Sequence, residues 1–306
     1  MSCSLERTTS NNSNIFHDVG LNFAGVQTLG GSGVVELFSA QSSGNDESDV
    51  RIRPTGGGTL TIGPGIIVRN VTNSRFVTLG DMAGGAIINH GTILSQSTGQ
   101  TLQVTGATVT NAGTLQATTG TLDANNLSGN VNLTSLSGSG TLDLDGTYAF
   151  DQPVSVSSGT TLFLRGNWDN NSSITQSGGT INLGDVFTVA DLGTFTGTDG
   201  LVSIFGTLDG SNLPSNETLT IDSTRQWQLA GGTLRNVTVT GGGDIAKPFQ
   251  ITSASGTFDN VTLGWNTTLR EGTTGSGNQV TVLNGLTLAN DSLLRLGTAQ
   301  KQLPEF

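Results

Sequence analysis

The sequence predicts an all-β fold, a right-handed parallel β-helix (β-solenoid) with coils of about 20–25 residues. Three observations carry that prediction: apolar pairs recur at a near-constant offset through the middle of the chain, a longer repeat occupies the C-terminal third, and the composition suits short strands joined by tight turns.

The middle repeat is read from the fragments TLQV, TLDA, TLDL, TLFL and TINL. Their first apolar residues, Leu102, Leu122, Leu142, Leu162 and Ile181, stand 20, 20, 20 and 19 positions apart. The second apolar residues, Val104, Ala124, Leu144, Leu164 and Leu183, keep the same register. Alternate residues of a strand face one side, so each fragment turns two apolar groups inward. Gly99, Gly120, Gly140, Gly159 and Gly179 precede the pairs, where a corner needs the positive φ that glycine permits. A single coil cannot bury its apolar face, whereas a stack of coils can. Right-handedness follows the general rule for parallel crossovers.

The second repeat is GTLRNVTV (232–239) followed by GTFDNVTL (256–263). Leu234, Val237 and Val239 recur as Phe258, Val261 and Leu263, and then as Leu283, Leu286 and Leu288. The step of three between the first two members is not strand-like, so a corner is expected at Asn236, Asn260 and Gly285, residue types that tolerate the left-handed conformation. The Asn-Val-Thr sequon in two of the copies is read as part of the coil, because the third copy keeps the apolar triplet without it.

Residues 1–50 lack a clear period and are expected to be an irregular segment or cap. Residues 51–298 form the solenoid, and 299–306 a short tail. A solenoid end exposes unpaired backbone groups and calls for cover. None is evident at the C-terminus, so the chain is expected to be a piece of a longer protein.

Composition excludes several function classes. Glycine accounts for 45 of 306 residues, about twice the usual share, and aromatics for only 5%. The net charge is −11 and only two lysines, Lys247 and Lys301, are present. There is no basic stripe to neutralise phosphates, so no nucleic-acid partner is expected. No apolar run is long enough to span a membrane. Cys3 is the single cysteine, which rules out an intrachain disulfide, and His17 and His90 are the only histidines. No Walker A, dinucleotide-binding or Gly-x-Ser-x-Gly signature occurs.

The segments INHGTILSQSTGQTLQVTGATVTNAGTLQATTGTL (88–122), GNWDNNSSITQSGGTINLGDVFTVADLGTFTG (166–197) and WQLAGGTLRNVTVTGGG (227–243) resemble bacterial surface β-solenoid repeats of the filamentous-haemagglutinin, autotransporter-passenger and β-strand-repeat type. The resemblance covers roughly residues 56–298. It implies an exported rod at the bacterial cell surface or outside the cell, structural or adhesive and not catalytic, with a cell-surface glycan or protein as partner and no cofactor. The start, MSCSLERTTSNNSN, lacks the basic and apolar regions of a secretory signal, so localisation rests on the resemblance. A further alternative is a fibre subunit that associates end to end through uncapped coils.

Parallel β-helices also include polysaccharide lyases, which use stacked acidic residues on an outer face, often with calcium and a basic residue. Asp123 and Asp143 occupy outward positions of adjacent coils, about 5 Å apart. Asp145 is two residues further on, and Arg165 aligns with Asp145 in the next coil. These residues form the candidate calcium or acid-pair site, against the alternative of solvated aspartates beside a turn. Asp46, Glu47 and Asp49 form an acidic loop without EF-hand spacing. Trp168 and Trp265 stand at expected turns, where they serve either as sugar-stacking platforms or as corner packing; Trp227 shares parity with Leu229 and is read as core. Thr-x-Thr pairs start at irregular intervals, which argues against an ice-binding lattice.

Overall fold

A computed structural model describes residues 3–4, 19–38, 50–71, 76–81, 84–133, 136, 138–211, 216–241, 247–269 and 279–296. Every strand pair whose register is defined is parallel, and the strands stack as a β-solenoid. Two compact units divide the chain: Met1–Ile181 with Leu192–Thr196, and Asn182–Asp191 with Gly197–Phe306.

In the first unit one inward file runs Val19, Val50, Val77, Leu102, Leu122, Leu142, Leu162. Two residues along each strand, Leu21, Ile52, Leu79, Val104, Ala124, Leu144 and Leu164 repeat the arrangement. A second file stacks Leu60, Ile87, Val109 and Leu127. A third stacks Val35, Val68, Ile93, Leu115 and Leu133. From Val50 onward the first two files are buried throughout. Each buried aliphatic side chain contributes on the order of 1.5–3 kcal/mol, so cohesion comes from many equal contacts along the files.

The glycines before the apolar pairs divide by cause. Gly99, Gly159 and Gly179 take positive φ, as a corner demands. Gly120 and Gly140 do not; a Cβ at Gly140 would stand 2.4 Å from the Ala117 carbonyl oxygen of the preceding coil. There glycine is required by the close approach of two backbones.

The ladder begins earlier than expected. Strand Val19–Leu29 pairs in parallel with Val50–Ile62, and Ser32–Leu37 with Gly65–Asn70, so part of the segment read as a cap already consists of coil strands. Its period was hidden because Val19 and Val50 stand 31 positions apart, with a long excursion between them. The acidic loop of Asp46, Glu47 and Asp49, His17 and the tail 299–306 lie outside the described residues.

In the second unit, Phe187, Leu208, Leu234, Phe258 and Val282 form one file, and Leu219, Val239, Leu263 and Leu288 another. Asn236 and Asn260 are left-handed, at φ 51 and 54, as the corner reading requires. The third copy departs from it. Phe258 pairs with Val282, and Leu283 instead continues the outward position of Asp259. A register shift between Asp259 and Val261 absorbs one extra residue, so Asn284 and Gly285 both take positive φ, 53 and 109.

Candidate functional site

The outward file beside the first ladder is Gln103, Asp123, Asp143, Phe163, in strict register. The two aspartates do stack on adjacent strands, as their offset of 20 requires. Arg165, however, meets Asp143 rather than Asp145: its Nε lies 2.8 Å from Asp143 Oδ1. The guanidinium carbon sits 5.1 Å from the Phe163 ring centroid, within cation–π range. Asp123 is held by the other neighbours, accepting from Asn125 Nδ2 at 2.9 Å and from Gln103 Nε2 at 3.4 Å.

Burial raises the Asp143 carboxyl above its ordinary 3.8, and the charges of Asp123 and Asp145 push the same way, while Arg165 opposes them. Desolvation disfavours the charged form, and a neighbouring like charge adds to that cost. Calcium needs six to eight oxygen ligands. Here one carboxylate is committed to a guanidinium and the other to two side-chain amides. Among the described residues, no three of His, Cys, Asp or Glu gather as a metal-holding group.

The tryptophan platforms are overturned for both candidates. Trp168 is 2% exposed and Trp265 5% exposed. Trp168 is not at a turn but within strand Asn167–Asn170, stacked on Tyr148 of the preceding coil, so strand alternation sends its indole inward. Trp265 packs against Gly241, where a Cβ would stand 2.6 Å from its Cε3. Trp227 is buried as expected and pairs with Val202. His90 is exposed at a corner, its backbone N–H donating to the Ile62 carbonyl.

A second ionic file escaped the sequence reading. Asp209, Arg235 and Asp259 are consecutive rungs. Arg235 Nη1 is 3.2 Å from Asp209 Oδ2, and its Nε 3.3 Å from Asp259 Oδ2. The signal was present in the fourth residue of GTLD, GTLR and GTFD, which alternates acid, base, acid. Arg225 is also buried, with Asp222 Oδ2 at 2.8 Å from its Nη2.

Threonines form long outward files as well. Thr101, Thr121, Thr141 and Thr161 stack in the first unit. Thr207, Thr233, Thr257 and Thr281 stack in the second, as do Thr218, Thr238, Thr262 and Thr287. The second of these is in register although its members stand 20, 24 and 25 residues apart. Among the described residues, no helix is long and apolar enough to cross a membrane. No family model matches this chain, and no curated protein or solved structure matches it.

Proposed function

We propose that this chain is a non-catalytic structural or adhesive segment of an exported bacterial surface protein, meeting a cell-surface glycan or protein along its flank. The observation that carries this reading is the set of threonine files. They repeat hydroxyl groups at the strand spacing of about 4.8 Å on a backbone that the buried ladders make stiff. Hydroxyl and amide groups offer both donors and acceptors, so a polar partner can replace the hydrogen bonds to water that they give up on contact. Repetition then multiplies weak contacts into avidity.

The test is retention of the purified chain on immobilised polysaccharides and on whole cells, beside a Thr238→Lys, Thr262→Lys double variant. Retention that falls in the variant, with an unchanged thermal melt, supports the reading. Absence of retention on every surface overturns its adhesive part.

A carbohydrate-active β-helix is the second reading, favoured by the raised Asp143 carboxyl beside Asp123 and Arg165. Release of unsaturated sugars from an acidic polysaccharide, abolished in Asp143→Ala, would support it. The ion pair to Arg165 argues against it, because it occupies the carboxylate such chemistry would need free.

A further inference from the structure

In the second unit the inward file stays apolar up to the last described rung and opens there. Phe258, Val261 and Leu263 are buried. Val282 and Leu288, their counterparts one rung on, are 46% and 51% exposed. In the other sheet of the unit, Leu296 continues the file of Leu229 and Ile251 through Leu269 and is 71% exposed. These are core positions by register, not surface positions. Among the described residues, strand Val280–Leu288 is paired along one side only, with Gly256–Leu263. Its sequence, VTVLNGLTL, carries no charge and no proline. It therefore lacks the usual devices that keep an edge strand from pairing with another chain.

The first unit presents a matching edge. Strand Val19–Leu29, VGLNFAGVQTL, also carries no charge and no proline. Among the described residues it too is paired on one side, with Val50–Ile62, while Cys3–Ser4 of the same chain pairs with the adjoining strand Ser32–Leu37. Leu21 and Phe23 are partly exposed where their rung partners Ile52 and Pro54 are buried. Gln27 stands on the rung of the buried Leu60, and Val26, at the outward position of Thr59, is 81% exposed. Both edge strands bend at a positive-φ glycine, Gly25 at φ 72 and Gly285 at φ 109.

We propose that copies of this chain associate head to tail, the edge strand Val280–Leu288 of one copy receiving the edge strand Val19–Leu29 of the next. Direction decides the occupant. Each defined pair in the ladder is parallel, and the next parallel rung beyond Leu288 is a strand that runs onward in the same sense, as Val19–Leu29 of a following copy does. Two copies meeting tail to tail would pair antiparallel strands and break that pattern. Each junction would supply backbone hydrogen bonds through strand addition and cover Val282 and Leu288. The interface is heterologous, so a pair of copies keeps one unused strand of each kind. The proposal stands apart from the choice of partner along the flank.

The experiment is sedimentation velocity of the full chain across a concentration series, with two charge-blocked variants. Val282→Lys with Leu288→Lys blocks the tail, and Val26→Lys with Gln27→Lys blocks the head. All four side chains are already exposed, so the fold tolerates the change; a thermal melt checks it. The expected result is that wild-type mass grows with concentration, each variant alone stays monomeric, and an equimolar mixture stops at a dimer. A wild type that stays monomeric overturns the proposal without recourse to any variant. So does a single variant that associates as the wild type does, since head-to-tail pairing needs both edges.

Discussion

Asn89 donates its side-chain amide to Asn111 Oδ1 at 2.6 Å, from one coil to the next, inside the core. Both residues are fully buried at a file position held by Ile62 on the rung before and Val131 on the rung after. The pair also ties down the corner: Asn89 Oδ1 accepts from Gly91 N at 3.1 Å, and Asn111 Nδ2 donates to the Asn132 carbonyl at 2.8 Å. Removing Asn111 takes away the shortest contact of Asn89 Nδ2, which keeps the Gly91 and Thr114 carbonyls at 3.3 Å, and strips the Asn132 carbonyl of its side-chain donor. Removing Asn89 does the same to Asn111 Oδ1 and the Gly91 N–H, at about 1–3 kcal/mol in either case. Asn111→Ala is expected to destabilise by that amount in chemical denaturation. The Asn89→Leu, Asn111→Leu pair should cost less than the sum of its single changes, because the double change leaves no side-chain amide facing an apolar partner; a double-mutant cycle reads this directly.

Position along the ladder sets the cost of an apolar truncation. Leu142 is buried between Leu122 and Leu162, so Leu142→Ala is expected to cost about 2–5 kcal/mol. Leu288 belongs to an equivalent file but is half-exposed in the isolated chain, and Leu288→Ala should cost under about 1 kcal/mol. Comparing their melting temperatures at one dilute concentration checks the contrast.

Asp143 predicts a pH effect of defined sign. Its carboxyl titrates above 3.8 in the folded chain, chiefly because it is buried. Between 3.8 and that raised value the folded state holds more protons than the unfolded state. Stability from this group therefore falls as pH rises through the window and returns as pH falls. Asp209 and Asp222 behave oppositely. Burial alone would raise them, but hydrogen bonds from Ser211 and Thr224, with Arg235 and Arg225 nearby, outweigh it and hold both below 3.8. Their stabilisation is present above 3.8 and is lost as pH falls through their folded values. The difference between wild type and Asp143→Asn isolates the first effect: the variant should gain on the wild type as pH rises through the window. A flat difference in melting temperature over roughly pH 3 to 7 would contradict it.

Arg235 lies between Asp209 and Asp259 but is 44% exposed. Screened pairs of this kind contribute little, about 0–1 kcal/mol, so Arg235→Gln should be nearly silent. Arg235→Glu should be worse, because it places three carboxylates on consecutive rungs. Added salt should narrow the gap between the two variants, and melts at low and high ionic strength provide the check.

What the sequence revealed depended on the constancy of the excursions between rungs. From Leu102 to Leu162 the corners have equal length, so both the buried file and the outward stacking of Asp123 on Asp143 could be read by subtraction. The same subtraction paired Arg165 with Asp145. A long side chain reaches across positions that an offset cannot resolve, and the guanidinium turns to Asp143. The strand at Val19 was missed because the excursion before Val50 is long. Trp168 was read as a turn residue because Asp and Asn follow it, yet strand Asn167–Asn170 buries Asn170 as well and satisfies it through the Leu192 carbonyl. One inserted residue at Asn284–Gly285 moved the third copy by one place, which alternation in a single strand cannot reveal.

Along the file from Val19 to Leu162 the number of residues per turn falls from 31 to 27 to 25 and then holds at 20, while each step remains one hydrogen-bonded rung. Length and rise are therefore uncoupled. Sequence can be added or removed at a corner without moving any tread above or below it, and the corners are where such a chain can acquire new surface while its interior stays the same.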